Sequence, residues 1–234
     1  MAQALHVFTK ELKDYFVSPI AYIVICIFLL ITGWFFFATF FLLDQANMRT
    51  FFSLLPLIFP FVIPAVTMRL FAEELHIGSY EMLLTLPLRL LDVIVGKFLA
   101  CVAFVAVMLV PTLSYALWIS FMGDLDWGPV IGGYLGAVLL GSAYSAIGIF
   151  ASTTTRNQII AFIVGMIICF TLTLIDKMLF FFPSLILPFI QCLGAGFHFE
   201  NISKGIVDTR DLVYFLSIIF VALYGANLIM QEKR

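Results

Sequence analysis

Six long runs of apolar residues divide the chain, and short polar stretches separate them. A membrane-spanning helix needs about 20 apolar residues, because each residue rises about 1.5 Å across the hydrocarbon core. Runs of this length predict six spans, at residues 20–43, 51–70, 91–120, 129–151, 157–175 and 211–230. The pattern therefore predicts an all-α integral membrane protein with six transmembrane helices.

The residues before the first run have a different pattern. Within 1–17, five apolar residues recur at helical spacing, namely Leu5, Phe8, Leu12, Tyr15 and Phe16. Charged residues occupy the remaining face, which predicts an interfacial helix lying on the membrane surface. The alternative interpretation is an amphipathic leader without a specific role.

The segment 176–211 is apolar but interrupted. Pro183, Pro188, Gly194 and Gly196 break it into short pieces. A lipid-exposed backbone cannot leave its amide groups unpaired, which argues against a seventh full span. We expect short re-entrant or interfacial helices before the last span.

Composition narrows the class of protein. The chain is 63% hydrophobic and 11% charged with a net charge of −2, against about 25% charged residues in soluble domains. No basic stripe exists, so nucleic acid is excluded as a partner. Of four cysteines, Cys26, Cys101 and Cys169 fall inside apolar runs and are predicted to be small buried residues. No disulfide framework or metal site is indicated.

Positive charges indicate an orientation. On the side of the two termini lie eight Lys and Arg residues: Lys10, Lys13, Arg69, Arg89, Lys97, Arg156, Lys233 and Arg234. The opposite side has four: Arg49, Lys177, Lys204 and Arg210. Because cytoplasmic loops carry the excess of Lys and Arg, both termini are predicted to be cytoplasmic.

Motifs for catalysis or nucleotide binding are missing from the sequence. The chain has no HExxH, no GxSxG and no phosphate-binding loop, since Gly96-Lys97 lacks the upstream glycine of that motif. Ion-coupled carriers usually have ionisable residues within their membrane spans. No ionisable residue lies near the centre of a predicted span here. We therefore expect a non-catalytic chain without a cofactor of its own, driven by a partner.

Small residues recur every four positions in the fourth span. Gly132 and Gly136 form one such pair, and Gly141 follows Ala137 at the same spacing. Small residues let membrane helices approach closely. The pattern predicts close helix packing, either within one chain or at a dimer interface.

The connection between spans two and three is unusually acidic. Residues 69–87 read RLFAEELHIGSYEMLLTLP, in which Gly78 can end one helix, Ser79 can cap a second and Glu81 lies in its first turn. The pattern predicts a rigid, acid-faced elbow on the membrane surface. The alternative is a solvated loop whose charges only keep it out of the bilayer.

This stretch resembles the ABC-2 type transporter permease family, in particular its GldF-like and NosY-like members. The matching run is E-E-x-x-x-G-[ST]-x-E-x-L-x-T-x-P, followed by the Gly-Lys near the start of span three. A G-x-x-D-x-x-D-x-x-Y-F-L run entering span six supports the same group. The resemblance covers nearly the whole chain and implies a single transmembrane domain over 1–234.

The resemblance also implies a function and a site. Residues 71–88 would form a coupling helix that docks on a separate cytoplasmic ATP-binding cassette ATPase, which would bind ATP and Mg²⁺. The implied contact residues are Glu73, Glu74, Gly78, Ser79 and Glu81, with a smaller contact at 152–157 through Arg156. The permease would pair with a second copy or a GldG-like chain in the bacterial inner membrane.

Two other functions compete with an ATP-driven permease. The chain could be a membrane scaffold of a motility or maturation complex that contacts an ATPase without moving a substrate. A haem-export permease is a third candidate, but no intramembrane His or Cys-His pair supports it.

Overall fold

The computed structural model describes residues 2–43, 47–78, 89–123, 125–178, 191–206 and 208–233, and the described chain is helical without a strand. The helices are α1 (Ala2–Val17), α2 (Pro19–Leu43), α3 (Arg49–Thr67), α4 (Arg69–Ile77), α5 (Leu90–Leu109), α6 (Leu113–Met122), α7 (Trp127–Thr154), α8 (Gln158–Lys177), α9 (Ala195–Ser203) and α10 (Thr209–Glu232).

Within the described residues, six helical stretches are long and apolar enough to cross a membrane, which confirms the predicted fold class. Two of them are composite. The second runs through α3 and α4 from Arg49 to Ile77, and the third runs through α5 and α6 from Leu90 to Met122. A short 3₁₀ turn at Val110–Thr112 joins α5 to α6, because Pro111 cannot donate the regular helix hydrogen bond.

The chain passes back and forth between two ends of the bundle. The elbow end, as we call it, holds α1, α4, the start of α5 and the C-terminal ends of α7 and α10. The far end holds α9 and the N-terminal ends of α3, α7 and α10. Lys233 donates to the Thr153 carbonyl at 2.6 Å at the elbow end, so both termini of the chain lie on one side.

Helix α7 is the centre of the bundle, and 78% of the residues in its most apolar stretch are buried. Its glycines make this possible by removing side chains at the crossing points. A Cβ at Gly132 would lie 2.5 Å from the Ile202 carbonyl oxygen, and one at Gly141 would lie 2.6 Å from Val105 Cγ1. Gly136 likewise faces Ile202 and Phe199. The three predicted glycines therefore pack α7 against α9 and α5 within one chain.

Helix α3 carries three prolines that the sequence analysis did not use. Pro56, Pro60 and Pro64 are buried and lie four residues apart on one face. Each lacks an N–H, so the carbonyl four residues earlier loses its helical donor. Thr173 of α8 supplies a replacement by donating to the Pro56 carbonyl at 3.1 Å. A hydroxyl on a neighbouring helix thus compensates for a proline inside a span.

The predicted helix at the amino terminus is present as α1, and it packs on α5. Tyr15 and Phe16 contact Phe104, with ring centroids 5.3 and 6.2 Å apart. Leu5, predicted to share the apolar face, is 63% exposed. Placement of α1 on a membrane surface stays a prediction.

One predicted burial is wrong. Cys101 and Cys169 are buried, whereas Cys26 is exposed on the outer surface of α2. Helix α2 contacts the bundle along a narrow face, and only 28% of the residues in its most apolar stretch are buried. An apolar position in a membrane helix can therefore face outward as readily as inward, because hydrocarbon surrounds the protein.

The segment before the last span contains the short helix α9. His198 of α9 bonds through Nδ1 to the Asp211 carboxylate of α10 at 2.6 Å, and its ring stacks on Tyr214 at 4.1 Å. Both side chains of this hydrogen-bonded pair are buried. Pro183 and Pro188 lie outside the described residues.

Candidate functional site

The predicted elbow begins as a direct continuation of the second span. Only Met68 separates α3 from α4, and α4 ends at Ile77. Gly78 follows with φ of 79°, a left-handed conformation that favours glycine. Ser79 and Glu81, which the sequence analysis placed in a second short helix, lie outside the described residues.

A buried ionic cluster holds α4 in place. The Lys97 ammonium of α5 donates to Glu74 Oε1 of α4 at 2.7 Å and to Glu11 Oε1 of α1 at 3.0 Å. It also donates to the Leu70 carbonyl at 2.8 Å. An ammonium has three N–H donors, so Lys97 uses all of them within the protein. Helices α1, α4 and α5 therefore meet at one cation.

The surroundings of Lys97 make this cluster strong. The Lys97 side chain is 1% exposed, while the Glu11 and Glu74 side chains are 12% and 18% exposed. The ammonium also lies 5.0 Å from the centroid of the Phe71 ring, within the range of a cation–π interaction. Little water reaches these charges, so their attraction is weakly screened.

A second tie joins α4 to the central helix. The backbone N–H groups of Phe71 and Ala72 donate to Ser152 Oγ of α7 at 2.9 and 3.0 Å. The first turn of a helix has no internal acceptors for its N–H groups, and Met68 makes no side-chain cap. Ser152 therefore caps α4 from another helix.

The predicted smaller contact lies beside this tie. Asn157 caps α8 by accepting from the Ile159 N–H at 2.9 Å, and Arg156 is exposed just before it. The pKa of Lys233 lies below its ordinary value, because burial and the nearby charge of Arg156 disfavour the ammonium. The carboxyl-terminal end of the chain thus adds positive charge to the 152–157 region.

A charged cavity of about 270 Å³ opens between α1 and α4. Its walls include Lys10, Asp14, Arg69 and Glu73 together with the Lys97 cluster. Arg69 and Glu73 form an exposed pair at 4.0 Å. The elbow therefore presents charged groups on its outer side and buries others on its inner side.

The two adjacent glutamates have different environments. Glu73 points outward with its side chain 44% exposed, whereas Glu74 points inward to Lys97. The glycines of α7 lie elsewhere, since Gly132 and Gly136 face α9 at the far end. Of the predicted contact residues that the structure describes, Glu73 and Glu74 lie on α4 and Gly78 directly follows it. Arg156 lies between α7 and α8.

The sequence did not point to Lys97 and Glu11 as members of this site, and it placed Ser152 in the smaller contact at 152–157 without indicating that it caps α4. Lys97 was counted as a cation of a connection, whereas it is buried inside α5. A usable signal was present, because a lysine within an apolar run is costly unless it has partners. Glu11 offered no comparable signal, since it is one charge among several on an amphipathic helix.

Comparison with protein families decides what kind of chain this is. A family model described as "ABC-2 family transporter protein" matches residues 5–233. The chain belongs to the ABC-2 transporter family. This ABC-2 family member is accordingly a multi-pass membrane protein and a component of a transporter, with six candidate spans. No curated protein matches the chain.

Metal chemistry finds no support in the described part of this ABC-2 chain. No group of three His, Cys, Asp or Glu side chains there could hold a metal ion. The candidate site is thus a mechanical junction of helices with an exposed outer side.

Proposed function

We propose that this chain is the permease subunit of an ATP-binding cassette transporter and that α4 couples it to a separate ATPase. The observation that carries the proposal is the cluster at Lys97, which joins the elbow to two other helices. Family membership supports the same function. The ATPase would bind ATP and Mg²⁺, and this chain would be non-catalytic.

The geometry suggests how motion would pass through the elbow. A partner that pushes on α4 also displaces α1 and α5 through Lys97, and α7 through Ser152. An ATPase can drive such a change only if it binds one arrangement of α4 more tightly than another. Tied helices serve this purpose, because they convert a local displacement into a displacement of the bundle.

The outer side of α4 offers groups for docking. Glu73 and His76 are available for polar contacts, and Ile77 is 68% exposed at the end of the helix. An apolar side chain beside charged groups is a common composition at protein interfaces. The exposed Arg156 would add the smaller contact, and Ser79 and Glu81 complete the set that we propose from the resemblance.

We further propose the setting of this complex. The elbow end would face the cytoplasm, with both termini of the chain on that side of the bacterial inner membrane. Two permease chains and two ATPases would form the transporter, the second permease being a copy of this chain or a GldG-like subunit. A GldF-like or NosY-like specialisation belongs to this proposal as well.

A charge reversal at Glu73 tests the docking proposal. The chain is isolated from its native membranes with its partners, which are identified and quantified by mass spectrometry. Glu73→Arg should reduce recovery of an ATP-binding cassette protein at least tenfold, whereas Glu200→Arg should leave it unchanged. Both glutamates are exposed and paired four residues away on their own helices, but Glu200 lies at the far end.

Two results would contradict the proposal. Absence of any ATPase from the parent chain, even after cross-linking through residue 73, would remove the proposed energy source. Recovery of an ATPase that hydrolyses ATP without substrate movement would favour the scaffold instead.

A further inference from the structure

A second cavity, of about 400 Å³, lies at the far end between α3, α8 and α9. Its walls carry three cations: Arg49 at the start of α3, Lys177 at the end of α8, and Lys204 after α9. Glu200 is the single acid among the lining residues that the structure describes. The cavity is therefore positively charged, in a chain whose net charge is −2.

Helix dipoles explain two of these cations and leave the third unexplained. Lys177 and Lys204 lie at the C-terminal ends of their helices, where positive charge is favourable. Arg49 is the first residue of α3, where positive charge is unfavourable. Arg49 also lies close to two other cations. Its place at this cavity therefore points to an anion that is supplied from outside the chain.

The one acid in the wall leaves cations in excess. Glu200 pairs with Lys204 at 2.9 Å, and within the described part of the chain neither Arg49 nor Lys177 has a carboxylate at ion-pairing distance. The pKa of Glu200 lies below its ordinary value, first through the hydrogen bond from Lys204 and then through the charges of Lys204, Lys177 and Arg49. All three cations therefore stabilise the charged form of the Glu200 carboxylate at this cavity.

The other described carboxylates of this end, Asp126, Asp176, Asp208 and Asp211, do not line the cavity. The Asp176 carboxylate lies against the backbone of Gly194 and Gly196. Asp211 is held by His198. Counting Asp176 with Glu200 still leaves three cations against two acids.

The remaining wall is apolar. Pro56, Leu57, Leu174 and Phe199 line it, and Leu57 is 48% exposed on the side of the span. A ligand that satisfies both parts of the wall has an anionic head and an apolar body. Three separate cationic donors suit a phosphoryl group, because its oxygens carry more than one charge and accept several hydrogen bonds.

We propose that this cavity binds an amphiphile through its phosphoryl headgroup, with Arg49, Lys177 and Lys204 as donors and the tail along Leu57. The proposal does not rest on coupling to an ATPase. It assigns a ligand class to the far end of the bundle.

Native mass spectrometry of the delipidated full chain in detergent tests this assignment with three probes. Dioleoylphosphatidic acid carries headgroup and tails, glycerol 3-phosphate has no tails, and dioleoylglycerol has no phosphate. We expect the phosphatidic acid to bind at least tenfold more tightly than either of the others. Arg49→Gln combined with Lys177→Gln should weaken it roughly tenfold for each cation removed.

Matched variants separate this site from general attraction to charge. Arg210→Gln removes an exposed cation at the same end that does not line the cavity, and it should leave binding unchanged. Leu57→Trp should weaken the binding of phosphatidic acid and leave the binding of glycerol 3-phosphate unchanged. Arg49→Lys should retain most of the binding. All substituted side chains are exposed, and thermal unfolding confirms that each variant is folded.

Three outcomes would overturn the proposal. Unchanged binding in the Arg49 and Lys177 double variant would remove the site, and an equal loss in Arg210→Gln would reduce it to surface charge. Equal affinity for glycerol 3-phosphate and the phosphatidic acid would identify a soluble phosphate ester as the ligand, and the amphiphile would then be wrong.

Discussion

The two ends of the bundle use positive charge in opposite ways. At the elbow end Lys97 is buried, and its three donors are all used by Glu11, Glu74 and the Leu70 carbonyl. At the far end Arg49 and Lys177 are exposed around a cavity, and within the described chain neither has an ion-pair partner. A satisfied buried cation holds helices together, whereas an exposed unpaired cation is available to a ligand.

The two ends also differ in the side chains that join their helices. The far end has its own buried hydrogen-bonded pair, His198 with Asp211, which joins α9 to α10. This pair fixes the helix that forms one wall of the cavity, and Lys204 alone among the three cations of the cavity pairs with a described carboxylate, that of Glu200. Polar side chains thus join helices at both ends, and at the far end Arg49 and Lys177 stay exposed beside the cavity.

The largest expected effect comes from breaking the cluster at the elbow end. Lys97→Met should lower the free energy of unfolding by about 3–5 kcal/mol, because the carboxylates of Glu11 and Glu74 lose their buried cation. Thermal or denaturant unfolding in detergent measures this change. Lys13→Met, which removes an exposed cation of α1, is the control. A Lys97→Met chain as stable as its parent would show that the cluster does not hold α4.

The cap that α7 provides for α4 should matter somewhat less. Ser152→Ala leaves the buried N–H groups of Phe71 and Ala72 without their acceptor, at a cost of about 1–3 kcal/mol. Ser142→Ala on the same helix removes a hydroxyl that bonds only to its own helix, at the Val138 carbonyl. Unfolding of the two variants should therefore differ, and equal stability would argue against the cap.

At the far end a glycine offers a comparable test. Gly132→Ala places a methyl group against the Ile202 carbonyl and the Gly205 backbone, and overpacking of this kind costs about 1–3 kcal/mol. Gly128→Ala is the control, since its Cβ would meet only Asp126 Oδ1 at an ordinary 3.4 Å. Gly132→Ala should also weaken phosphatidic acid binding by displacing α9. Unaltered stability and binding would mean that α9 shifts freely.

The smallest effects should come from the exposed pairs. Glu73→Gln breaks the Arg69 pair and Glu200→Gln breaks the Lys204 pair. Solvent screens both, so each substitution should change the free energy of unfolding by less than about 0.5 kcal/mol. Glu73→Gln should nonetheless reduce ATPase recovery. A large stability loss in either variant would show that the pair is structural.

Much of the fold could be predicted, because the bilayer imposes length and apolarity on every span. The six spans, α1 and the turn at Gly78 follow from patterns of that kind. The site could be predicted only in part. Glu73 and Glu74 are adjacent in sequence and equally acidic, yet one faces outward and the other faces Lys97. Adjacent positions on a helix point in different directions, and only neighbouring helices decide which direction is buried.

What the sequence alone determined is therefore the class of the protein, the number of its spans and the position of its elbow. These follow from local properties, namely apolar length, helix breakers and charge along the chain. Tertiary structure decided the pairing of Lys97 with Glu11 and Glu74 and the meeting of Arg49, Lys177 and Lys204 at one cavity. The residues in each group are separated by tens of positions in sequence, so only the packing of helices brings their charges together.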